Sequence, residues 1–309
     1  MPVRTTTLVL LNVFAALSAA RAEAPVSFKH DDSRVQIDVD GRSFATYVYR
    51  DPDILRPYLT HVHAPSGTQV TRNHPPVPGR DAVDHDTMHP GIWLAFGDLS
   101  GADFWRNKAR VEHIEFVETP VADDEGGHFA VRNRYVADGA TMCEELCRIA
   151  VRKLPAGTLI LWDSTFTGPR EFAFGDQEEM GLGVRVATPL AAKNGGRLTN
   201  ADGLVGEDQV WGKQAAWCDY SGTINGEALG VLLVPDPQNF RRAWFHARDY
   251  GFVAANPFGR NAFTRGEKSR VSVEPEKSLR LRFGVLVHSG PIDLQSAYHD
   301  VAAALAGGQ

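Results

Sequence analysis

The sequence contains few cysteines and no long basic segment, and each shortage excludes a class of protein. Its 309 residues include three cysteines, Cys143, Cys147 and Cys218, and this odd number rules out a disulfide framework. The segment around Cys143 and Cys147 looks like a strand, which favours buried free thiols, while a bridge between those two residues stays open as an alternative. Lys and Arg total 32 against 38 Asp and Glu, and no basic stretch could follow a phosphate backbone, so we expect no nucleic-acid partner.

Long apolar runs are also missing after residue 24, where nothing approaches the ~20 residues that span a bilayer. At the start of the chain, Arg4 precedes an apolar run, and the small residues Ala20 and Ala22 stand where a signal peptidase pocket needs them. This pattern predicts a signal peptide over residues 1–22 and a periplasmic or secreted mature chain with no membrane partner; an uncleaved anchor is the alternative. Cleavage would remove two arginines and no acidic residue, which changes the formal charge from −6 to −8.

Several catalytic motifs are absent as well. The sequence has no Gly-x-Ser-x-Gly elbow, no phosphate-binding loop and no catalytic-cysteine signature, so serine hydrolases, kinases and thiol proteases lose support. The HExxH and CxxC zinc patterns are missing too. The chemistry that remains uses oxygen, nitrogen and carboxylate groups, which suits proton transfer at a sugar carbon, glycosidic cleavage or metal-assisted hydrolysis.

Apolar and polar residues alternate over much of the chain, and this period of two predicts strands. Hydrophobic residues make up 43% of the sequence, enough for a full core, and the alternation is clear over residues 34–39 and 279–283. The one convincing helical stretch covers residues 294–305. Because no Pro/Gly/Ser linker interrupts the pattern, we predict an all-β fold: one large antiparallel two-sheet supersandwich domain over residues 23–309, with a short C-terminal helix. Further predicted strands are 44–49, 129–136, 158–166, 182–187, 229–234 and 270–273.

Histidines are concentrated early in the chain, where five of the eleven fall within residues 61–89. Strand alternation would place His61 and His63 on one face, and residues 84–89 form a loop rich in imidazoles and carboxylates. Such groups can bind a divalent metal, polarise a substrate oxygen or shuttle protons, or they can simply hydrogen-bond the backbone of a long turn. We predict no cofactor, and keep a divalent metal as the alternative. Its candidate ligands are His61, His63, His85 and His89.

A second candidate region follows residue 175. If it is one strand, Gln177, Glu179 and Arg185 share a face with Gly181 and Gly183, while the alternate apolar residues face the core. The two glycines remove side chains where a ligand could lie close to the backbone, and a carboxylate and a guanidinium flank the gap. The alternative is that the charged residues are ordinary solvated groups on an outer face.

Aromatic residues beside charged groups mark two further segments. Trp217 and Asp219 are close in the sequence, and Arg242, Trp244 and His246 would share one strand face. Aromatic planes next to hydrogen-bonding groups are how proteins hold sugars, because a pyranose has an apolar C–H face and a ring of hydroxyls. Core packing is the other explanation for each tryptophan. The predicted substrate-binding residues are His63, Gln177, Trp211, Trp217, Asp219, Trp244 and Asn256.

Seven runs together resemble a known family. They are Arg-Pro-Tyr-Leu at 56–59, Thr-Arg-Asn-His-Pro-Pro at 71–76, Asp-His-Asp-Thr-Met-His-Pro-Gly-Ile-Trp-Leu-Ala-Phe-Gly-Asp at 84–98, Gly-Ala-Asp-Phe-Trp at 101–105, Gly-Asp-Gln-Glu-Glu-Met-Gly-Leu-Gly-Val-Arg at 175–185, Trp-Cys-Asp-Tyr at 217–220 and Asn-Pro-Phe-Gly at 256–259. The runs resemble the secreted bacterial family labelled PmoA-like, or "methane oxygenase PmoA". A membrane methane-oxygenase subunit spans the bilayer several times, so we interpret that label as a misnomer for this chain.

The resemblance supplies no catalytic residues to carry over. Many members of that family have adjacent histidines before Gly-Ile-Trp, whereas this chain has Met88, His89 and Pro90 there. The all-β pattern also resembles, more distantly, the galactose-mutarotase-like supersandwich of sugar epimerases, polysaccharide lyases and some glycoside hydrolase domains. That resemblance implies a carbohydrate ligand and leaves the reaction type open.

Our leading hypothesis is an exported carbohydrate-active enzyme of epimerase, lyase or hydrolase type, which binds a sugar or oligosaccharide on the concave face of a sheet. Glu179 would be the general acid or base, His89 or His85 its partner, and Arg185 would neutralise a carboxylate or oxyanion, with His246 nearby. The hypothesis requires that the histidine-rich loop and the Glu179 strand line one hollow. Two alternatives remain: a noncatalytic sugar-binding protein of a glycan-uptake system, and a histidine-ligated metal-dependent oxygenase or hydrolase.

Overall fold

The computed structural model describes residues 1–3 and 24–307, and strands dominate them. Residues 4–22 of the predicted signal peptide, with its cleavage site after Ala22, lie outside this range. Within it, no helix is both long enough and apolar enough to cross a membrane. The strands, in chain order, are β1 Val26–His30, β2 Arg34–Val39, β3 Arg42–Val48, β4 Tyr58–Thr60, β5 Ile92–Phe96, β6 Arg110–Asp123, β7 Gly126–Ala137, β8 Ala140–Leu154, β9 Gly157–Thr167, β10 Phe172–Phe174, β11 Met180–Arg185, β12 Arg197–Asn200, β13 Cys218–Ile224, β14 Glu227–Pro235, β15 Trp244–Arg248, β16 Phe252–Asn256, β17 Val271–Val273 and β18 Leu279–Ser289.

Two antiparallel sheets of eight strands each, with a small two-stranded sheet of β10 and β17, build the described part of the chain, and the predicted all-β sandwich is confirmed. The front sheet has the order β1-β2-β3-β4-β5-β11-β16-β15, and the back sheet has the order β12-β13-β14-β18-β9-β8-β7-β6. A two-residue turn joins β13 to β14, where Asn225 and Gly226 have φ angles of 53° and 84°. These left-handed angles are those of the tight turn that suits the strand twist, and Asn-Gly is the residue pair that adopts them most readily.

The main core lies between the two sheets. Met180, Leu182 and Val184 of β11 are fully buried there, as the alternation predicted. Burying one such side chain contributes about 1.5–3 kcal/mol, so this alternation fixes which face of β11 points inward. Gly183 and Arg185, on the intervening positions, point to the outer face of the front sheet.

The predicted C-terminal helix is confirmed as α3, Leu294–Gly307. It packs through Val301 and Leu305 on the outer face of the back sheet, in a layer that also contains Trp217 and Leu286. Two single-turn helices were not predicted, α1 at Glu207–Val210 and α2 at Arg260–Thr264.

The cysteines and the early histidines give one confirmation and one correction. Cys143, Cys147 and Cys218 are free and buried, in agreement with the interpretation of structural thiols. The prediction that His61 and His63 share a strand face is wrong. Strand β4 ends at Thr60, and His61 has a left-handed backbone with φ 49°, so the alternation stops before either imidazole.

Candidate functional site on the outer face of the front sheet

The outer face of the front sheet has an aromatic floor. Trp93 of β5 and Phe252 of β16 lie on it, together with Tyr58 of β4 and Trp105, and all four are buried. The Trp93 and Trp105 rings meet edge to face, with centroids 5.3 Å apart. Polar side chains from β11, from β15 and from the loops stand around and above this floor.

The two glycines of β11 are explained by this floor and by backbone pairing, which corrects the predicted ligand gap. A Cβ at Gly183 would lie 2.7 Å from the Trp93 ring and 3.2 Å from that of Trp105. Gly181 has a φ of 93°, and a Cβ there would collide with the carbonyl oxygen of Ala255. The space above β11 is therefore filled by protein.

Arg185 connects β11 to the histidine-rich loop. Its side chain is 1% exposed and forms two hydrogen bonds of 2.9 Å with the carboxylate of Asp84. The guanidinium also lies 4.5 Å from the centroid of the Tyr250 ring. A buried guanidinium needs a carboxylate partner, and Asp84 supplies it, so the two candidate regions are held together by a bidentate ion pair.

The Asp84 carboxylate is held in its charged form. Partial burial opposes its ionisation, but hydrogen bonds with Arg185 and His85, and the charges of Arg185 and Arg72, hold its pKa well below the ordinary value. The charge of Arg185 is thus compensated inside the protein. This arrangement removes the predicted role in which Arg185 neutralises a substrate carboxylate.

His89 is buried in a stack of rings. The His85 ring lies on one side at 4.7 Å, while Trp93 and Phe252 approach at 5.0 and 4.6 Å. Burial and the positive charge of Arg185, whose Nη1 is 3.4 Å from His89 Nδ1, hold the pKa of His89 well below its ordinary value. His89 is therefore a neutral, enclosed imidazole.

His85 is the exposed member of that stack. Its side chain is 38% exposed, and its Nδ1 is 2.9 Å from Asp84 Oδ2. Its ring also lies parallel to that of Tyr250, with centroids 5.7 Å apart. Of the two loop histidines proposed for catalysis, His85 is the one that a ligand could touch.

Glu178 and His246 form a second titratable pair on the same face. His246 of β15 is buried, its Nδ1 is 3.2 Å from the carbonyl oxygen of Glu178, and its Nε2 is 3.5 Å from Glu178 Oε2. Burial and the charge of Arg248 lower the pKa of His246 to about 3, so its ring is neutral. Burial raises the pKa of Glu178, although Arg248, 3.3 Å away, opposes the shift.

Glu179, the predicted acid or base, is engaged differently. Its carboxylate forms an ion pair with Arg106 at 2.6 Å, and Arg106 also pairs with Asp103 at 3.2 Å. Strand β11 begins only at Met180, so the alternation that selected Glu179 does not extend to it. Glu178 was missed because the sequence alone does not show where the strand starts.

Asn256 positions this segment. It is fully buried, and its Nδ2 donates to the carbonyl oxygens of Gln177 and Glu178 at 2.7 and 3.1 Å. Its Oδ1 accepts hydrogen bonds from the amides of Phe258 and Gly259. These contacts correct the predicted substrate-binding role of Asn256, because all of its side-chain polar atoms are used by the backbone.

The histidine loop and the Glu178–His246 pair lie on one surface. The Phe252 ring contacts both His89, at 4.6 Å, and His246, at 5.0 Å. Burial raises the pKa of Tyr250 to about 12, and the charges of both Arg185 and Arg248 oppose that shift. The loop around residue 85 and the segment around residue 178 are thus brought together on the front sheet.

The remaining predicted binding residues do not all lie at one site. Trp211 and Trp244 belong to the front face, where Trp211 is half-buried and the guanidinium of Arg248 lies 5.7 Å from its ring. Trp217 and Asp219 belong to the back sheet, so their assignment to the same site is wrong. Two further predicted binding residues contact other groups: Gln177 Oε1 lies 3.5 Å from Arg106, and His63 Nδ1 lies 3.4 Å from the carbonyl oxygen of Phe44. Arg242 is exposed and precedes β15, so the prediction that it shares a strand face with Trp244 and His246 is wrong.

The described residues offer no ready set of ligands for the metal-dependent alternative. Among residues 1–3 and 24–307, no three or more His, Cys, Asp or Glu side chains are grouped so as to hold an ion. Of the four candidate ligands, His89 has its Nδ1 3.4 Å from the guanidinium of Arg185, where a cation would be repelled.

Comparisons with known proteins show weak structural similarity. The chain is similar to an alpha-galactosidase from Lactobacillus brevis at 8% identity and a TM-score of 0.44; 89% of this chain is covered, and it spans 40% of the length of that protein. It is also similar to a galactose mutarotase-like protein from Clostridium acetobutylicum (8% identity, TM-score 0.43, 88% and 100% of the two chains) and to a galactose mutarotase related enzyme from Lactobacillus acidophilus (9%, 0.41, 85% and 97%).

Galactose mutarotase-like proteins are therefore among the similar structures, as the distant resemblance suggested, but TM-scores below 0.5 assign no reaction or ligand to this chain. No protein of curated function matches it by sequence. The PmoA-like family is not shown by these comparisons. The model of a family of unknown function, DUF6807, matches residues 34–301, and the chain belongs to that family.

Proposed function

We propose that this chain is an exported carbohydrate-active enzyme that binds a saccharide on the outer face of the front sheet and uses Glu178 and His246 for acid/base chemistry. The observation that carries the proposal is the pair itself. A carboxyl group that is 35% exposed lies 3.5 Å from a neutral, buried imidazole. Both groups have perturbed pKa values, in opposite directions, which is how active sites separate an acid from a base.

The surroundings of this pair suit a saccharide. Tyr250 and Trp211 are partly exposed aromatic side chains, and the Arg248 guanidinium lies 5.7 Å from the Trp211 ring. The Arg248 guanidinium joins the carboxylates of Glu178 and Glu207, each at 3.3 Å. Aromatic planes can take the C–H face of a sugar, while exposed carboxylates, guanidinium groups and imidazoles hydrogen-bond its hydroxyls.

Glu178 has the properties of a proton-transfer group. Its raised pKa moves it towards neutral pH, where a carboxylate accepts and returns a proton most effectively. Arg248 would stabilise the charged carboxylate or a neighbouring oxyanion. The neutral His246 ring donates Nδ1–H to the carbonyl oxygen of Glu178, so its Nε2 could accept the proton of the Glu178 carboxyl group. Arg185 and Asp84 position the histidine loop, from which His85 could hydrogen-bond the ligand.

The test compares two neighbouring glutamates. Wild type, Glu178→Gln and Glu179→Gln are incubated with a panel of neutral and acidic mono-, di- and polysaccharides, and products are followed by chromatography and proton NMR. We expect Glu178→Gln to lose about 10²–10⁴-fold in rate, the usual contribution of a general acid or base. Glu179→Gln, which breaks the ion pair with Arg106, should keep its rate within about tenfold.

Two results would contradict this proposal. A folded Glu178→Gln protein with the wild-type rate would remove Glu178 from the mechanism. Saturable saccharide binding without any product would instead favour the noncatalytic sugar-binding alternative.

A further inference from the structure

A separate cleft opens on the same outer face, over β2, β3 and β4. Its volume is about 560 Å³, within the range of small-molecule sites. Strands contribute Arg34, Thr46 and Tyr58, and the segments that follow contribute His61, His74 and Thr87. None of these six side chains was assigned to the site around Glu178.

The cleft borders the proposed catalytic site through one loop. Asp84 binds Arg185 and His85 stacks on His89, whereas the next two residues, Asp86 and Thr87, line the cleft. The floor is shared as well, because Tyr58 belongs to the same buried aromatic cluster as Trp93 and Phe252. A ligand that passes over this loop would touch both regions.

The chemistry of the cleft suits a neutral, hydroxyl-rich ligand. Burial lowers the pKa of His61 and of His74, so both imidazoles are uncharged at neutral pH and can donate and accept hydrogen bonds. The charged lining residues are mixed in sign: Arg34 and Arg50 face Asp51, Asp53 and Asp86. A phosphate or uronate would meet three carboxylates against two guanidinium groups.

The hydroxyl-bearing lining adds to this match. Thr60 lines the cleft, and its buried hydroxyl has no hydrogen-bond partner among the described residues, whereas Tyr58 donates its own hydroxyl to Asp51 Oδ2 at 2.8 Å. The apolar edges of Val48, Pro52 and Pro75 lie beside these polar groups. Alternating apolar edges and hydrogen-bonding groups are what a pyranose ring requires.

We propose that this cleft is a second sugar subsite, so that the ligand of the front sheet is a neutral oligosaccharide with one unit at Glu178 and a further unit between β4 and the loop. This inference rests on the proposed function. It predicts that longer saccharides bind more tightly than single sugars. It also predicts that contacts in the cleft cause this gain in affinity.

Two cleft variants test the proposal. His61→Asn removes the imidazole while keeping a residue type that tolerates the left-handed backbone at this position, and Thr87→Trp fills the cleft from an exposed site. Thr223→Trp, at an exposed position on the β13–β14 hairpin, is the matched control. The probes are gluco- and galacto-oligosaccharides of one to four units and the corresponding uronic acid oligomers, with dissociation constants from titration calorimetry.

The wild type and the Thr223→Trp control should bind longer neutral chains about tenfold more tightly than single sugars. Each cleft variant should lose most of that gain without changing the affinity for the single sugar. Affinity independent of length, or a length dependence untouched by both variants, would overturn the subsite and leave the Glu178 site standing. Tighter, cleft-dependent binding of the uronic acid oligomers would overturn the neutral ligand. Failure of every saccharide to bind the wild type would overturn both proposals.

Discussion

Each of the two sheets has a buried histidine beside a carboxylate, and these two pairs differ in their access to solvent. On the front sheet, His246 lies 3.5 Å from Glu178, with side-chain exposures of 6% and 35%. On the back sheet, His288 lies 2.9 Å from Asp219, with exposures of 4% and 0%. An imidazole beside a carboxylate is therefore open to a ligand in one place and enclosed in the other.

The pair on the back sheet is enclosed because helix α3 packs on that face of the sheet. His288 is on β18, one of the strands that α3 covers, and its ring fills the space that a side chain at Gly230 would need. Asp219, on β13, is completely buried beside it. A closed pair of this kind holds strands together, whereas an open pair can exchange protons with a bound molecule.

The largest effect that we expect from this difference is on stability. Asp219→Ala leaves a buried imidazole without its partner and should lower the free energy of unfolding by on the order of 3 kcal/mol. Glu178→Ala removes a half-exposed carboxylate and should cost less than about 1 kcal/mol. Chemical denaturation of the two variants measures both values. Equal losses, or a larger loss for Glu178→Ala, would break the distinction between a structural and a functional pair.

A smaller effect concerns the pH dependence of the reaction rate. If Glu178 acts as a base, the rate rises as pH increases through its pKa, which burial places above the usual value for glutamate of about 4.3. The charge of Arg248 opposes that shift, so Arg248→Gln should move the acidic limb of the pH–rate profile to higher pH, by up to about one unit. Arg260→Gln, which loses an exposed ion pair with Glu267, should leave the limb in place. A limb that moves to lower pH in Arg248→Gln would show that another group titrates.

The fold was predictable from the sequence because alternation reports burial directly. Residues 34–39 form β2 as predicted, and the segment from Leu279 forms β18. The pairing of strands was not predictable in the same way. Strand β11 lies between β5 and β16, which are about 70–90 residues away from it in the chain, and no local pattern encodes such contacts.

The site was predictable only in part, for reasons that particular residues illustrate. The position of Arg185 on the outer face followed from the period of two, but its carboxylate partner Asp84 comes from a loop that could have been placed in many ways. Glu178 and Glu179 are adjacent, so an error in the predicted start of one strand selected Glu179 and passed over Glu178. Asp219 looked suitable beside Trp217, and only the three-dimensional structure shows that the helix layer encloses both.

The most direct test of the account is hydrogen–deuterium exchange of the wild-type protein, with and without the saccharide from the panel that binds most tightly. We predict slower exchange at residues 84–87, 176–179 and 246–250 of the front sheet, with residues 217–221 and 286–290 of the back sheet unchanged. Protection confined to the back sheet would contradict the central claim that the open pair, and not the closed one, meets the ligand.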